Sequence, residues 1–285
     1  MDFSMYPLSN RYYSGSEKKV GILINGSPYM LKFRKKTAFG LRYNHISEYI
    51  GSHVFALLGF STQETYLGLY HGEQVVACKD FIEPGVQFVP FNDVGESTLD
   101  QDKERYQYSY EDIMKMLEYN SKLTQVQETI RSFWEIYIVD ALLGNFDRHG
   151  SNWGFIKIKN TYSLAPVFDN GSCLFPSMTS EEEMKSVMIS VEETQKRVFT
   201  FPTSQIMLDG KKSSYYEVIH SCAFRECNTA LASVYQRLDM KRIFALVDET
   251  PFISEIHKRF YKHMLEARYA LIIKSTYDLL EKDCI

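Results

Sequence analysis

The amino-acid sequence predicts an α+β fold with two lobes: a small, mainly β N-terminal lobe that carries one helix, and a larger, mainly helical C-terminal lobe. Short apolar runs joined by turn sequences fill the first third of the chain. Apolar residues recur at helical spacing over most of the remainder. The pair Pro84-Gly85 separates the two patterns, so we place a hinge there and assign residues 1–84 to the first lobe and residues 85–285 to the second.

The length, composition and charge of the chain indicate a globular protein and argue against a nucleic-acid-binding one. The chain has 285 residues, of which 45% are hydrophobic and 24% charged, and its formal net charge is -4. This composition is typical of a globular protein with a sizeable core. The densest basic stretch covers only residues 32–36, whereas a duplex-binding domain usually carries a broader basic face. We therefore expect no direct nucleic-acid binding.

The sequence also bears on location. No segment approaches the ~20 apolar residues that a membrane span needs, and the N-terminus lacks the basic start and apolar stretch of a signal peptide. The five cysteines are odd in number and form no CxxC pair, which argues against a disulfide framework or a zinc knuckle. We expect a cytoplasmic protein that binds no membrane, while export by a route without a sequence signal stays open.

The N-terminal lobe begins with a predicted hairpin. Its strands cover residues 20–24 and 29–33, and Asn25-Gly26 between them is a strong hairpin signal. Alternation along the second strand places Lys32 on the opposite face from the large side chains of Tyr29, Leu31 and Phe33. Lys32 therefore projects from a strand beside an apolar neighbour.

A helix follows the hairpin. Asn44 is its predicted N-cap and Gly59 its C-terminal stop, with Glu48 near the start. Two further strands are predicted at residues 65–70 and 74–78, which completes the lobe before the hinge.

The C-terminal lobe is predicted to be helical around one polar loop. A broad apolar face indicates a long helix that Gly144 ends, and the loop lies between this helix and a hairpin. The predicted elements are, in order, helices at residues 110–119 and 126–143, the loop at residues 145–152, hairpin arms at residues 154–159 and 162–167, and mostly helix from residue 181, including an amphipathic stretch at residues 253–280.

The polar loop and the residues after the hairpin carry the chemistry. Kinases use a base Asp, an Asn five residues later that binds Mg²⁺, and a second metal-binding Asp after a short hairpin. Asp147 and Asn152 have this spacing, and Asp169 opens an Asp-x-Gly tripeptide. Oxygen ligands of this kind suit Mg²⁺. Asp140 and Asn145 are also five residues apart, but Asp140 lies within an apolar helix, so we assign no role to that pair.

Lys32 and Glu48 complete the predicted set. A lysine on an upstream strand would contact ATP phosphates, and a glutamate in the next helix would orient it through an ion pair. Taken singly, Lys32 could be a solvated strand lysine and Glu48 a first-turn glutamate favoured by the helix dipole, and Asp169 suits a turn. Their order on suitable elements favours an ATP- and Mg²⁺-dependent phosphotransferase.

Two neighbours of the base are further catalytic candidates. Arg148 and His149 follow Asp147 directly. His149 could serve as a general base or metal ligand, although a single histidine beside Asp and Arg is more often structural.

Several segments resemble one family. Residues 145–155 (NFDRHGSNWGF) and 165–174 (APVFDNGSCL) resemble the HipA-like serine/threonine kinases, and above all the compact branch of that family. The likeness extends to the Lys32 strand and to three further segments, at residues 47–59 (SEYIGSHVFALLG), 76–82 (VACKDFI) and 252–260 (FISEIHKRF). The DRHxxN core also occurs in phosphoinositide-type kinases, so that core alone leaves the acceptor open.

The resemblance implies a two-lobed protein-kinase-like fold that transfers the γ-phosphate of ATP to serine or threonine of a protein substrate. It makes Asp147 the catalytic base, Asn152 and Asp169 the Mg²⁺ ligands, and Lys32 the phosphate-contacting lysine. Some members are toxins restrained by a DNA-binding antitoxin, so an antitoxin protein is a candidate partner.

The resemblance also marks two residues before the hinge, Lys79 and Phe81, as candidates for binding the nucleotide. The chain departs from kinases in lacking a GxGxxG loop. Ser14, Gly15 and Ser16 are candidates for covering the phosphates, and the serines for autophosphorylation, although a solvated turn explains this segment equally well. The predicted N-terminal lobe begins close to residue 1, so we expect this chain to lack the extra N-terminal subdomain of long HipA proteins, which puts antitoxin contact through that subdomain in doubt.

Two other functions stay open. A small-molecule or phosphoinositide-type phosphotransferase would use the same nucleotide site, although no polybasic cluster suggests membrane docking. A pseudokinase that acts as a binding module is the third alternative. The intact set of Lys32, Asp147, Asn152 and Asp169 argues against it.

Overall fold

The computed structural model describes residues 1–13, 18–38, 40–95, 108–119 and 125–283. The strands are β1 (Lys19–Ile24), β2 (Ser27–Phe33), β3 (Lys36–Thr37), β4 (Gly40–Leu41), β5 (Thr65–Tyr70), β6 (Glu73–Lys79), β7 (Val86–Pro90), β8 (Tyr108–Ser109), β9 (Gly154–Ile158), β10 (Thr161–Leu164), β11 (Thr203–Leu208) and β12 (Lys211–Ser214). The helices are α1 (Asn44–Leu57), α2 (Phe91–Gly95), α3 (Tyr110–Tyr119), α4 (Val126–Leu143), α5 (Glu181–Ile189), α6 (Val191–Phe199), α7 (Tyr215–His220), α8 (Arg225–Arg237), α9 (Met240–Glu249), α10 (Glu255–Arg268) and α11 (Ser275–Asp283), with a π-helical segment, Tyr269–Lys274, between the last two.

The N-terminal part is built on a four-stranded antiparallel sheet in the order β1-β2-β6-β5. The predicted hairpin turn is present, and both Asn25 and Gly26 have positive φ, at 51° and 81°. One face of the sheet packs into a small apolar cluster that includes Tyr29, Leu31 and Phe33. The other face, which carries Lys32, turns toward α1. The predicted α+β class, sheet-rich at the N-terminus and helical at the C-terminus, is confirmed.

The start of α1 differs from the prediction. Tyr43, and not Asn44, occupies the N-cap position. The Asn44 side chain instead accepts the Lys35 N–H at 2.9 Å and donates to the Phe33 carbonyl at 3.0 Å. Asn44 thus ties the end of β2 to the beginning of α1. The other end is as predicted, since Gly59 follows the helix with a φ of +82°.

Three β segments of the C-terminal part were not predicted: β7, β8, and the hairpin of β11 and β12. Strand β7 begins directly after Pro84-Gly85, and it pairs with β9 in a three-stranded sheet. The hairpin of β11 and β12 interrupts the region after residue 181 that we predicted as mostly helix. Its turn, Asp209-Gly210, has positive φ at both residues, 50° and 72°, and Asp-Gly is a hairpin signal that the sequence did contain.

The hairpin after the polar loop is shorter than predicted. Its second strand ends at Leu164, three residues before the predicted end at Val167. The backbone of Val167 bonds instead to Ser61 and Gln63, beyond α1. This exchange of partners joins the segment that precedes Asp169 to the N-terminal part of the molecule.

Helix α4 is the centre of the C-terminal core. All of its residues from Thr129 onward are buried except Arg131 and Ser132. It ends at Gly144, whose φ of +62° gives the left-handed cap that glycine adopts readily. A buried helix of this kind fixes the position of the polar loop that follows it. Among the helices of the described residues, none is long and apolar enough to cross a membrane.

Two buried histidines predict a loss of stability in acid. His45 and His257 lie in the core, and burial lowers the pKa of the first to about 3 and of the second to about 4. Below pH 6.5 the unfolded chain therefore binds protons that the folded chain does not, so stability falls as the pH falls. We expect each histidine to contribute about 1.4 kcal/mol per pH unit between roughly pH 6 and 4.

Denaturant unfolding at pH 7, 6 and 5 measures this slope. His257→Gln should reduce this slope by about 1.4 kcal/mol per pH unit between pH 6 and 5, whereas His71→Asn, at an exposed turn residue, should leave it unchanged. Equal slopes in wild type and His257→Gln would show that His257 is not buried in its neutral form.

Candidate active site

A cleft of about 990 Å³ brings together most of the predicted site residues. One wall comes from β2, β6 and α1, and the other from the polar loop and the segment around Asp169. The predicted residues that line it are Lys32, Glu48, Phe81, Asp147, His149, Asn152 and Asp169.

The Lys32 ammonium lies at the back of this cleft between two carboxylates. Its Nζ donates to Glu48 Oε2 at 2.8 Å and to Asp169 Oδ1 at 2.9 Å. Lys32 is 8% exposed and Glu48 only 1%. Burial lowers the pKa of Lys32, but the charges of Asp169 and Glu48 outweigh it and hold that pKa well above its usual range. The cleft therefore contains a fixed positive charge.

The segment around Asp169 is held against α1. The Lys32 charge lowers the pKa of Asp169, so this carboxyl is ionised. The next residue, Asn170, is buried, and its N–H donates to Glu48 Oε1 at 3.0 Å. A Cβ at Gly51 would lie 2.6 Å from the Asn170 Cβ, so only glycine allows this close approach.

The polar loop presents Asp147 to the cleft. The Asp147 N–H donates to Asn145 Oδ1 at 3.1 Å, and its carbonyl accepts Asn152 Nδ2 at 2.8 Å. Partial burial raises the pKa of Asp147, although its side chain stays 48% exposed. His149 Nε2 lies 3.8 Å from Asp147 Oδ1. The loop thus fixes the backbone of Asp147 and leaves its carboxylate open to the cleft.

Arg148 lies behind the cleft and does not line it. Its guanidinium donates to both oxygens of Asp140, at 2.9 and 3.0 Å, and to the Phe168 carbonyl and Asn170 Oδ1. The opposing charge of Asp140 raises the pKa of Arg148 against the effect of burial. Arg148 therefore connects α4, the polar loop and the Asp169 segment, which is the position of an anchoring residue.

Asp140 and Asn145, which the sequence analysis did not assign to the catalytic pattern, have a structural role behind the cleft. Asp140 is fully buried, and it accepts Asn145 Nδ2 at 2.9 Å as well as the Arg148 guanidinium. The sequence did contain a signal for this role, namely a carboxylate inside an apolar helix. A buried charge of this kind requires a paired and hydrogen-bonded partner. Asn170 was also missed as a connecting residue.

The remaining candidates divide into three groups. Phe81 reaches the cleft and packs on Phe168 with ring centroids 5.5 Å apart. Lys79 does not, because it lies opposite Tyr29 on the other face of the sheet and its Nζ is 3.2 Å from Glu64 Oε2. A nucleotide contact by the Lys79 ammonium does not fit this placement. Ser14, Gly15 and Ser16 lie outside the described residues.

The cleft also contains cations that the sequence did not single out. Lys35 and Arg42 line it, and the Lys35 charge acts on Asp147. Nothing in the residue pattern marked either one as a site residue.

Comparisons with known proteins identify the family of this chain. The sequence profile of the HipA-like C-terminal domain matches residues 12–252, which include all of the residues that line the cleft except Arg11. The chain belongs to the HipA-like serine/threonine kinase family. Over 262 residues it is 36% identical to the serine/threonine-protein kinase CtkA of Helicobacter pylori (strain J99 / ATCC 700824), covering 90% of this chain and 80% of that relative.

Two solved structures relate the HipA-like fold to this chain. The crystal structure of a proinflammatory kinase CtkA of Helicobacter pylori matches with a TM-score of 0.92 and 31% identity, over 100% of this chain and 99% of that one. HipA of Shewanella oneidensis MR-1, solved with HipB and operator DNA, matches with a TM-score of 0.59 and 14% identity, over 95% of this chain and 67% of that one. The second likeness shows the fold alone. The predicted family, two-lobed kinase-like fold and kinase class are confirmed.

Proposed function

We propose that this chain transfers the γ-phosphate of ATP to serine or threonine of a protein substrate, with Asp147 as the catalytic base. One observation carries the proposal. Lys32 bridges Glu48 and Asp169 in the same cleft to which the polar loop presents the Asp147 carboxylate. Phosphoryl transfer needs this combination of a fixed cation, oxygen ligands and a proton acceptor.

The cleft suits a nucleotide. Its volume of about 990 Å³ is at the upper end of the usual range for small-molecule sites. Phe81, Phe88 and Phe168 pack edge-on or tilted, with ring centroids 5.2 to 6.2 Å apart, and form an apolar wall against which an adenine ring would pack. Lys32 would contact the phosphates, since its charge is held in place by two carboxylates.

The residues present fit Mg²⁺. Asp169 offers an ionised carboxylate, and Asn152 donates through its nitrogen, so its amide oxygen remains as an acceptor. No group of three or more His, Cys, Asp or Glu in the described part of the chain could hold a metal alone. This agrees with Mg²⁺, which usually takes one or two protein oxygens and completes its shell with phosphates and water. When bound, it would neutralise charge on the phosphates.

The chemistry at Asp147 is a proton transfer. The carboxylate would accept the proton of the serine or threonine hydroxyl as that oxygen bonds to the γ-phosphorus. The bond between the γ-phosphorus and the bridging oxygen breaks, and ADP leaves. The hydrogen bonds from Asn152 and to Asn145 hold the loop backbone in place for this step. We assign His149 and Arg148 to positioning Asp147 and Asp169.

Other assignments belong to the same proposal. The lobe division after residue 84 and phosphate contacts by Ser14, Gly15 and Ser16 rest on the sequence. A cytoplasmic location is supported by the thiols of Cys78, Cys173 and Cys227, which form no disulfide within the described residues. A HipB-like antitoxin partner rests on family membership.

Replacement of Asp169 tests the metal assignment. We expect Asp169→Asn to weaken MgATP binding by about 10-fold or more, because an amide is a weaker Mg²⁺ ligand than a carboxylate and Lys32 loses one of its two partners. Calorimetric titration with MgATP measures this affinity. The control is Asp209→Asn, in an exposed hairpin turn where a φ of +50° accommodates asparagine. Unchanged MgATP affinity and turnover in Asp169→Asn would refute the assignment.

The acceptor class is tested by ADP production from MgATP with a protein mixture, with inositol lipids and with small alcohols. We expect stimulation by protein, with phosphate on serine or threonine. Stimulation by lipid or small alcohol alone would replace the protein-kinase assignment by the small-molecule or phosphoinositide alternative. MgATP binding without turnover on any acceptor would favour the pseudokinase.

A further inference from the structure

An apolar groove lies beside the polar loop, outside the nucleotide cleft. It has a volume of about 310 Å³, and its walls include Phe146, Phe175, Pro176, Met178 and Phe201. Phe146 directly precedes Asp147 and lines both the groove and the cleft. The groove is therefore continuous with the position at which an acceptor hydroxyl would meet Asp147.

Three phenylalanine rings define the groove. Phe201 is 46% exposed, although it contacts the rings of Phe146 and Phe175 at centroid distances of 6.1 and 6.3 Å. Phe175 packs in turn on the buried Phe260, with ring centroids 6.0 Å apart, so the wall of the groove is in contact with the core. An aromatic residue left half exposed within a concave surface is typical of a binding site and not of a packed core.

The backbone at Phe175 is unusual. Its φ is +55°, a left-handed conformation that bulky residues seldom adopt. Such outliers persist only where the surrounding structure fixes them, and they cluster at functional sites. Here the conformation places the Phe175 ring between the core and the open face of the groove.

A cation lies where the groove meets the cleft. The Arg42 guanidinium is 6.0 Å from the centroid of the Phe146 ring, and Arg42 lines the cleft. Its Nε is buried without a hydrogen-bond partner, and Arg42 forms no ion pair with any residue in the described ranges. A carboxylate that approached Phe146 from the groove would pair with this guanidinium.

We propose that the groove binds the segment of the protein substrate that flanks its acceptor residue. A bulky apolar side chain of that segment lies among Phe146, Phe175 and Phe201, and a neighbouring acidic side chain pairs with Arg42. The proposal rests on the proposed kinase function and names its substrate class. A chain whose hydroxyl reaches Asp147 must continue over Phe146, and the groove is the apolar surface that it meets there.

A peptide library with one central serine tests the proposal. We expect wild type to select a large apolar residue at one position flanking the serine. Phe201→Ala should lower kcat/KM for the preferred peptide by about 10-fold or more. The variant should then phosphorylate the preferred peptide hardly faster than a peptide in which alanine replaces the large apolar residue. The KM for ATP should not change. Phe201→Leu, which keeps an apolar wall, should retain the selection.

The matched control is Ile189→Ala. Ile189 is 85% exposed on α5 and does not line the groove, so its truncation should change neither rate nor selection. No apolar preference in wild type, or the same preference in Phe201→Ala, would overturn the proposal. So would hydrolysis of ATP without phosphorylation of any peptide. Failure to bind MgATP would instead contradict the kinase function itself.

A second variant tests the charge. Arg42→Gln should abolish the preference for glutamate over glutamine beside the apolar residue. A raised KM for ATP with the glutamate preference intact would assign Arg42 to the nucleotide and overturn this part of the proposal.

Discussion

Asp147→Ala should lower kcat by about 10²–10⁴-fold, which corresponds to roughly 3–5 kcal/mol of barrier. The reason is that the other carboxylates that line the cleft among the described residues are already paired. Glu48 and Asp169 accept Lys32 at 2.8 and 2.9 Å, and Asp80 pairs with Arg11. MgATP affinity should remain near that of wild type, because Asp147 contacts the acceptor and not the phosphates in the proposed arrangement. Steady-state turnover and calorimetric titration on the same preparation separate the two effects.

The controls for Asp147 separate charge from shape. Asp147→Asn keeps the side-chain volume and should lose nearly as much activity as alanine, since an amide cannot accept the proton. Asp209→Asn, outside the cleft, should turn over like wild type. Activity of Asp147→Asn within a few-fold of wild type would remove Asp147 from its role as base.

Asp140→Ala should destabilise the fold by about 3–5 kcal/mol, because it leaves the Arg148 guanidinium buried without its carboxylate. It should also lower activity, since Arg148 connects the polar loop to the carbonyl of Phe168 and the side chain of Asn170. Denaturant unfolding measures the first effect and turnover the second.

A double-mutant cycle tests whether the pair itself is responsible. Asp140→Ala combined with Arg148→Met should cost less than the sum of the two single changes, because the double variant has no uncompensated buried charge. The control is Asp278→Ala, which breaks the half-exposed pair with Lys274 and should leave stability almost unchanged. Strictly additive losses would show that Asp140 and Arg148 do not act as a pair.

The part of the site that could be predicted is the part that has a local pattern. Asp147, Asn152 and Asp169 were predicted together because the proposed chemistry requires fixed spacings around a helix, a loop and a hairpin. Strand alternation placed Lys32 on the correct face, and helical spacing placed Glu48 in α1. The structure brings these five side chains into one cleft.

Residues whose role depends on distant partners could not be predicted in this way. Asn170 connects to Glu48 and Ser52, more than a hundred positions earlier. Lys79 was assigned by its place in a conspicuous segment, whereas one step of alternation along β6 puts it on the opposite face from Cys78, which lines the cleft.

The fold shows the same limit. Long helices such as α3 and α4 have the predicted bounds, because a periodic apolar face over several turns is a strong signal. Strand β7 has only five residues, and no turn joins it to its partner β9. The two strands are far apart in sequence, since Pro90 of β7 pairs with Gly154 of β9, 64 positions later. Such pairing depends on tertiary contacts that the local sequence does not contain.

The most direct test of the proposed reaction is the transfer of labelled phosphate from γ-labelled ATP to protein. The purified chain is incubated with MgATP and a mixture of unfolded acceptor proteins that includes casein, and the label is assigned by phosphoamino-acid analysis. We predict label on serine or threonine with wild type and a loss of at least about 10²-fold with Asp147→Asn. Equal labelling by both proteins, or no label on protein from a chain that binds MgATP, would contradict the proposed reaction.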